Sequence, residues 1–429
     1  MALKNKVFFI SLFFFNLLFS QNKRCASVEV LKRRLKDYNI EFSKFKIDES
    51  IKNYDLIKHQ KKRINDSVVV IPVVVHVVWN HFDQNISEEQ IFSQIDVINR
   101  DFRKQNNDSL NNDHPFQSYS SDVKIQFCLA KSDPNGNPTN GITRTRTDSL
   151  FFRSFRSEKF SKLGGRDAWD TKKYLNIWVC NFDKTDEILG YATFPFDFNK
   201  FPHEDGVVIS YKAFGTLGTA EAPNNLGRTA THEIGHWLNL HHIWGDDECG
   251  DDFVIDTPKA KEPNYGCPDY PHNVMSCNSN QLGEMYMNYM DYVNDKCMCM
   301  FTKGQKERMR NTLFTKRFSI ISSNLCSDIK EKEDISKFFT IFPNPTDGFF
   351  TITVSGLDTL KGNEERYKKN VGIKIKNLLG IEIFDYGVSN QLPFSAHINK
   401  SFLNGFYIVE IIFHESDNEL VSKILIVDQ

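Results

Sequence analysis

Thr231-His232-Glu233-Ile234-Gly235-His236-Trp237-Leu238-Asn239-Leu240-His241-His242 decides how the rest of the chain is read. It holds an H-E-x-x-H unit, with a further histidine, His242, six residues after His236. On a helix, His232 and His236 lie one turn apart and leave the same face. Two neutral imidazoles at that spacing grip one Zn²⁺, with Glu233 beside them in reach of a water on the ion. A straight helix cannot bring another side chain to the same point in six residues. The chain therefore has to bend after Leu238 for His242 to arrive as third ligand. Three protein ligands and an open fourth position make the catalytic form of a zinc site; four protein ligands make the structural form.

This spacing resembles the metzincin metallopeptidases, whose pattern is H-E-x-x-H-x-x-G-x-x-H with a downstream Met-turn. Asn239 stands where that pattern has Gly. The bend needs a positive φ, which Gly adopts freely and Asn more easily than most residues. The turn is therefore expected to survive. Asn288-Tyr289-Met290-Asp291-Tyr292 resembles the Met-turn, which implies that Met290 floors the zinc site without binding the ion. His232 to Leu238, Asp256-Thr257-Pro258 and Met287 to Tyr292 together resemble the pappalysin branch, over roughly residues 68–320. That resemblance implies that Tyr292 points at the metal and donates to the oxyanion of the tetrahedral intermediate. It implies a secreted zinc endopeptidase with Glu233 as general base. The competing class is a non-catalytic adhesin on a zinc fold. Glu233 speaks against it, since zinc binding alone does not require that residue.

The 429 residues leave room for two or three domains. Fifty-three Lys and Arg against 55 Asp and Glu give no overall charge to attract nucleic acid. Lys4, Lys6 and the apolar run Val7–Phe19 read as a signal peptide over residues 1–20. The run is short for a transmembrane anchor, the other reading. Residues 21–63 are polar and charged, without a convincing core, and suit a propeptide. Lys61-Lys62-Arg63 fits its protease-sensitive end and equally an ordinary solvated cluster. Some metzincins place a propeptide thiolate at the open zinc position, and by that resemblance Cys25 is a candidate latency switch. The alternative is an unpaired or differently paired cysteine.

The catalytic domain is assigned to residues 64–326. Its fold class is α+β: a twisted mixed sheet, an active-site helix and a loop-rich C-terminal subdomain. Val68–Trp79 is a β-branched run that reads as a buried strand. Within it, His76 reads as a satisfied core histidine. Ser87 to Gln90 resembles a capping box opening a helix with Ile91, Ile95, Ile98 and Phe102 on one face. Further strands fit Val123–Ala130, Tyr174–Asn181, Gly190–Phe194 and Gly206–Tyr211. The resemblance makes Gly190–Phe194 the candidate cleft rim, binding substrate as an added strand. The zinc helix is expected over about Asn225–Leu240.

Asp246, Asp247, Glu248, Asp251, Asp252 and Asp256 crowd the loop after His242. Packed carboxylates and carbonyls suit Ca²⁺, and pappalysin relatives bind calcium in this region. Asp252, Asp256 and Thr257 are the candidate calcium ligands; a solvated acidic loop is the other reading. Five of nine cysteines lie between Cys249 and Cys299, where loops without a core of their own benefit from disulfides. The resemblance suggests Cys249–Cys277 and Cys267–Cys297. Cys128 and Cys180 fall in strand signals as buried thiols or as a pair.

A helix from Phe301 to about Arg317 closes this domain, and residues 327–337 read as a charged linker. Residues 338–429 carry alternating strand signals separated by turns, the pattern of a small all-β sandwich. Phe342-Pro343-Asn344-Pro345, Asn377-Leu378-Leu379-Gly380 and Gly405-Phe406-Tyr407-Ile408-Val409 resemble the C-terminal sorting domain of the type IX secretion system. That implies protein or peptide substrates met outside a gram-negative cell, and an outer-membrane secretion machinery as partner. A carbohydrate-binding or adhesive β-module is the alternative.

Overall fold

The computed structural model describes residues 24–45, then 67–326 apart from 154–155, 197, 199–200, 279–280 and 324. Beyond these it describes 339–354, 371–378, 380–389, 394–399, 402–413 and 419–427. The expected signal peptide, Lys61-Lys62-Arg63 and the linker lie outside the described residues.

Strand β1 (Val69–Trp79) is the spine of the larger sheet. Along one edge it pairs in parallel with β2 (Ile125–Leu129) and then β3 (Ile142–Arg146). Along the other it pairs with β4 (Leu175–Cys180), which pairs with β6 (Val207–Ser210). The short β5 (Gly190–Ala192) closes the order and is the one antiparallel member. Alternate residues go to opposite faces, as the pleat requires. Val75, Ile177, Val179 and Ile209 enter the main core, whereas Trp178, Cys180, Tyr191 and Val208 enter a second core on the other face.

Helices α2 (Glu88–Phe102) and α3 (Arg228–Trp237) bury Ile91, Ile98, Phe102, Ala230 and Ile234 in the main core. Ser87 caps α2 by accepting from the Gln90 backbone N–H at 3.2 Å. The Gln90 side chain does not return to close a capping box. It donates to the Phe214 and Tyr211 carbonyls and so ties down the 211–219 loop. His76 is fully buried between Thr143 Oγ1 at 2.7 Å and Asn176 Oδ1 at 2.9 Å, and burial lowers its pKa to about 4. Helix α4 (Lys303–Lys316) starts in a full capping box between Thr302 and Gln305, and α5 (Phe318–Ile321) follows it.

A second expectation is overturned. Residues 24–45 are packed rather than coreless: α1 (Ser27–Asp37) buries Val28, Val30, Leu31 and Leu35.

The last part holds two antiparallel sheets, β10-β9-β12-β13 and β11-β8-β7. In chain order these strands are β7 (Phe339–Phe342), β8 (Phe349–Val354), β9 (Val371–Asn377), β10 (Glu382–Ser389), β11 (Phe394–Asn399), β12 (Gly405–Phe413) and β13 (Glu419–Val427). Ile352 and Ile398 from one sheet share a core with Ile373, Val409 and Leu425 from the other, which makes a sandwich.

Candidate metal centre

Helix α3 is shorter at both ends than its sequence pattern suggests. Asp295 sets its start: one carboxylate oxygen accepts from the backbone N–H of Leu226 at 2.9 Å and of Arg228 at 3.1 Å. A negative charge there suits the helix N-terminus. The helix stops at Trp237 because Asn239 turns left-handed, with φ of 76°. The N–H groups of Asn239 and Leu240 then fold back onto the His236 and Gly235 carbonyls, closing the helix end. Met290 lies directly beneath, so close that a Cβ on Gly235 would overlap its Sδ.

The bend brings three rings together. His236 Nε2 lies 3.1 Å from His232 Nε2 and 3.0 Å from His242 Nε2. Each Nδ1 faces an acceptor: the Tyr289 carbonyl at 2.7 Å for His232, the Leu240 carbonyl at 2.7 Å for His236, and Asp246 Oδ1 at 2.5 Å for His242. Nδ1 therefore keeps its proton, and the Nε2 lone pairs converge. Burial and the neighbouring rings hold His232 and His236 well below the usual histidine range, so these rings are neutral. A tetrahedral ion with Zn–N bonds of about 2.0–2.1 Å holds its nitrogens about 3.3 Å apart, so the donor set fits zinc.

Cys25 Sγ completes the group; it and the three ring nitrogens all lie within 4.8 Å of one another, and all four residues are buried. Among the described residues this is the only gathering of three or more His, Cys, Asp or Glu atoms within reach of one ion. Glu233 stands alongside. Its Oε2 accepts from Ser27 Oγ at 2.7 Å and from Cys25 Sγ at 3.3 Å, while its buried Oε1 has no hydrogen-bond partner. Burial raises its pKa to about 8. Tyr292 donates to the Cys25 carbonyl at 3.3 Å and sets its ring 4.9 Å from that of His242. Trp244 stacks flat on His242 at 4.3 Å.

The segment around Cys25 lies parallel to β5, bridged to it at Gly190. Ala26 N–H donates to the Gly190 carbonyl at 3.1 Å, and Leu189 N–H to the Arg24 carbonyl at 3.0 Å. Arg24 is buried beside the metal centre. Its guanidinium donates to Asp295 Oδ1 at 2.5 Å, the Val293 carbonyl at 2.6 Å and Asn224 Oδ1 at 3.2 Å.

The three calcium candidates do not converge. Thr257 Oγ1 donates to Asp252, whose pKa burial raises to about 8. Asp256 instead spends both oxygens on the start of α4, accepting from Thr302 Oγ1 and Gly304 N–H. Disulfides join Cys249 to Cys277 and Cys267 to Cys297, the pairs the resemblance suggested. Cys128 does not pair with Cys180; it joins Cys326, and Cys180 is a buried thiol. Sequence reading missed Trp244, Ser27, Arg24 and Asp295. It counted Asp246 only among calcium-type acids, although the four-residue spacing from His242 was a usable signal.

Residues 159–314 match the family model described as pregnancy-associated plasma protein-A, a peptidase family. Residues 340–427 match the secretion system C-terminal sorting domain. An extracellular metalloprotease of Colletotrichum graminicola is 41% identical over 252 residues, covering 56% of this chain and 76% of that protein. Tannerella forsythia mature mirolysin in complex with a cleaved peptide is 51% identical with a TM-score of 0.59, covering 61% of this chain and 99% of that one. A mutant of Tannerella forsythia promirolysin is 46% identical with a TM-score of 0.62, covering 70% and 97%.

Proposed function

The chain belongs to the pappalysin family of metallopeptidases, and on that premise we propose that it holds a catalytic Zn²⁺ on His232, His236 and His242 and cuts peptide bonds beside basic residues. It is a metalloendopeptidase and a secreted or cell-surface protein. The convergence of three Nε2 atoms, with every Nδ1 engaged elsewhere, carries the zinc assignment. When bound, zinc acidifies a water and polarises the scissile carbonyl. Glu233, whose Oε1 has no hydrogen-bond partner, takes the proton of the attacking water and passes it to the leaving amine. Tyr292 donates to the developing oxyanion from its place beside His242. Met290 supports the floor without ligating.

Residues 21–63 act as a propeptide, with Cys25 Sγ occupying the open ligand position as a latency switch. In support, Cys25 groups with the three imidazoles, and the related protein exists in longer pro and shorter mature forms. The buried contacts of Arg24 support the preference for basic residues. A guanidinium neutralises Asp295 in a buried seat, and the same seat is offered to an arginine or lysine of a substrate. Of the calcium candidates Asp252, Asp256 and Thr257, only Asp252 and Thr257 lie side by side, so a calcium ion at this loop would rest on those two. Residues 340–427 engage the secretion machinery.

Casein hydrolysis by processed protein, with and without a chelator and beside Glu233→Ala, tests the mechanism. The expected loss for Glu233→Ala is at least about 10²- to 10⁴-fold. Chelator-insensitive activity, or a variant as fast as wild type, sinks it. Asp295→Asn is expected to lower kcat/KM about tenfold or more for peptides with arginine beside the cut, by removing a buried charge-assisted pair. Unchanged preference across a peptide library would refute the pocket assignment.

A further inference from the structure

Covering the metal site takes only the Cys25 thiol and the residues beside it that pair with β5. The pro-segment nevertheless continues as α1 over a second surface, formed by the chain just after β5. There Leu31, Leu35 and Phe45 are buried against Phe194. Phe196 meets the rings of Phe45 at 4.9 Å and Tyr38 at 5.7 Å, both edge-on. The Arg34 guanidinium lies 4.2 Å from the Phe201 ring and forms an ion pair with Glu204, which also meets Arg156 at 3.0 Å. This surface is continuous with the metal centre, because the Phe194 ring sits 5.2 Å from that of His236.

Removal of the pro-segment would bare three phenylalanines and take one basic partner from Glu204. Contiguous exposed apolar surface of this kind marks an interaction site. We propose that in the processed enzyme Phe194, Phe196, Phe201 and Glu204 form a substrate exosite. It takes an amphipathic segment with apolar residues a helical turn apart and an arginine or lysine next to the second, the chemistry that Leu31, Arg34 and Leu35 now present. The inference rests on the reading that residues 24–45 leave the enzyme. Mass spectrometry of the processed protein checks that reading first and separately.

The test uses processed enzyme and quenched fluorogenic peptides that share one cleavage sequence. One peptide is short; two others carry an amphipathic, basic extension at either end. One extended peptide is expected to show a kcat/KM about tenfold above the short one, mostly through KM, the worth of one good aromatic or ionic contact. A synthetic peptide spanning residues 29–45, which lacks Cys25 and Ser27, should compete that gain away and leave the short peptide's turnover unchanged. Phe196→Ser and Glu204→Gln should each cut the gain, with the short peptide reporting that the variants still fold. Equal kcat/KM for short and both extended peptides would overturn the proposal. So would inhibition of both classes alike by residues 29–45, or dimerisation of processed enzyme that Phe196→Ser abolishes in sedimentation.

Discussion

At Asn239 one backbone angle, φ of 76°, decides whether His242 reaches its two partners. A left-handed conformation costs most L-residues about 1–2 kcal/mol, and a β-branched side chain there fares worse. Asn239→Gly is therefore expected to keep both stability and metal. Asn239→Val should lower Tm by several degrees and release zinc during gel filtration, read by elemental analysis. A valine variant with native Tm and full metal content would show that the bend is not held by this residue. His232, His236, Glu233 and His242 were legible because their chemistry is written in local spacing. Their supports were not. The Tyr289 and Leu240 carbonyls, Trp244 and Asp295 act only after distant loops have packed, and no local pattern announces them.

Elements obey the same division. Strands β1 and β4 were readable as β-branched and aromatic runs buried on both faces. Strand β3, Ile-Thr-Arg-Thr-Arg, was not, because it lies half exposed and its side chains carry no alternation of apolar and polar. Helix α1 was masked in another way. Its apolar stripe is diluted by charges, and the surface that makes it stable belongs to residues more than 150 positions later. Between α3 and the Met290 turn the fit is tight enough to test. Gly235→Ala would drive a methyl into Met290 Sδ and should cost about 1–3 kcal/mol, as overpacking does. Urea denaturation reads it, and Met290→Ala in the same chain should recover part of the loss. A full-strength single variant would mean that the floor yields freely.

Across the whole molecule, residues 24–45 meet the body through three polar side chains, Cys25 at the imidazoles, Arg24 at Asp295 and Arg34 at Glu204, besides Ser27 at Glu233, the backbone pairing with β5 and the apolar face of α1. Cys25→Ala removes only the first. Unprocessed Cys25→Ala protein should hydrolyse a short fluorogenic peptide in its initial phase, under conditions where the unprocessed wild type is silent. If both are equally silent, the remaining contacts close the cleft.

The Cys128–Cys326 bond ties β2 to the chain just after α5, across a separation of 198 positions. Lys131 N–H donating to the Leu325 carbonyl at 2.8 Å reinforces the same junction. The chain after α5 is thus held in a covalent loop. A cut anywhere past Cys326 would leave α4 and α5 fastened at both ends, by β2's disulfide on one side and the chain on the other.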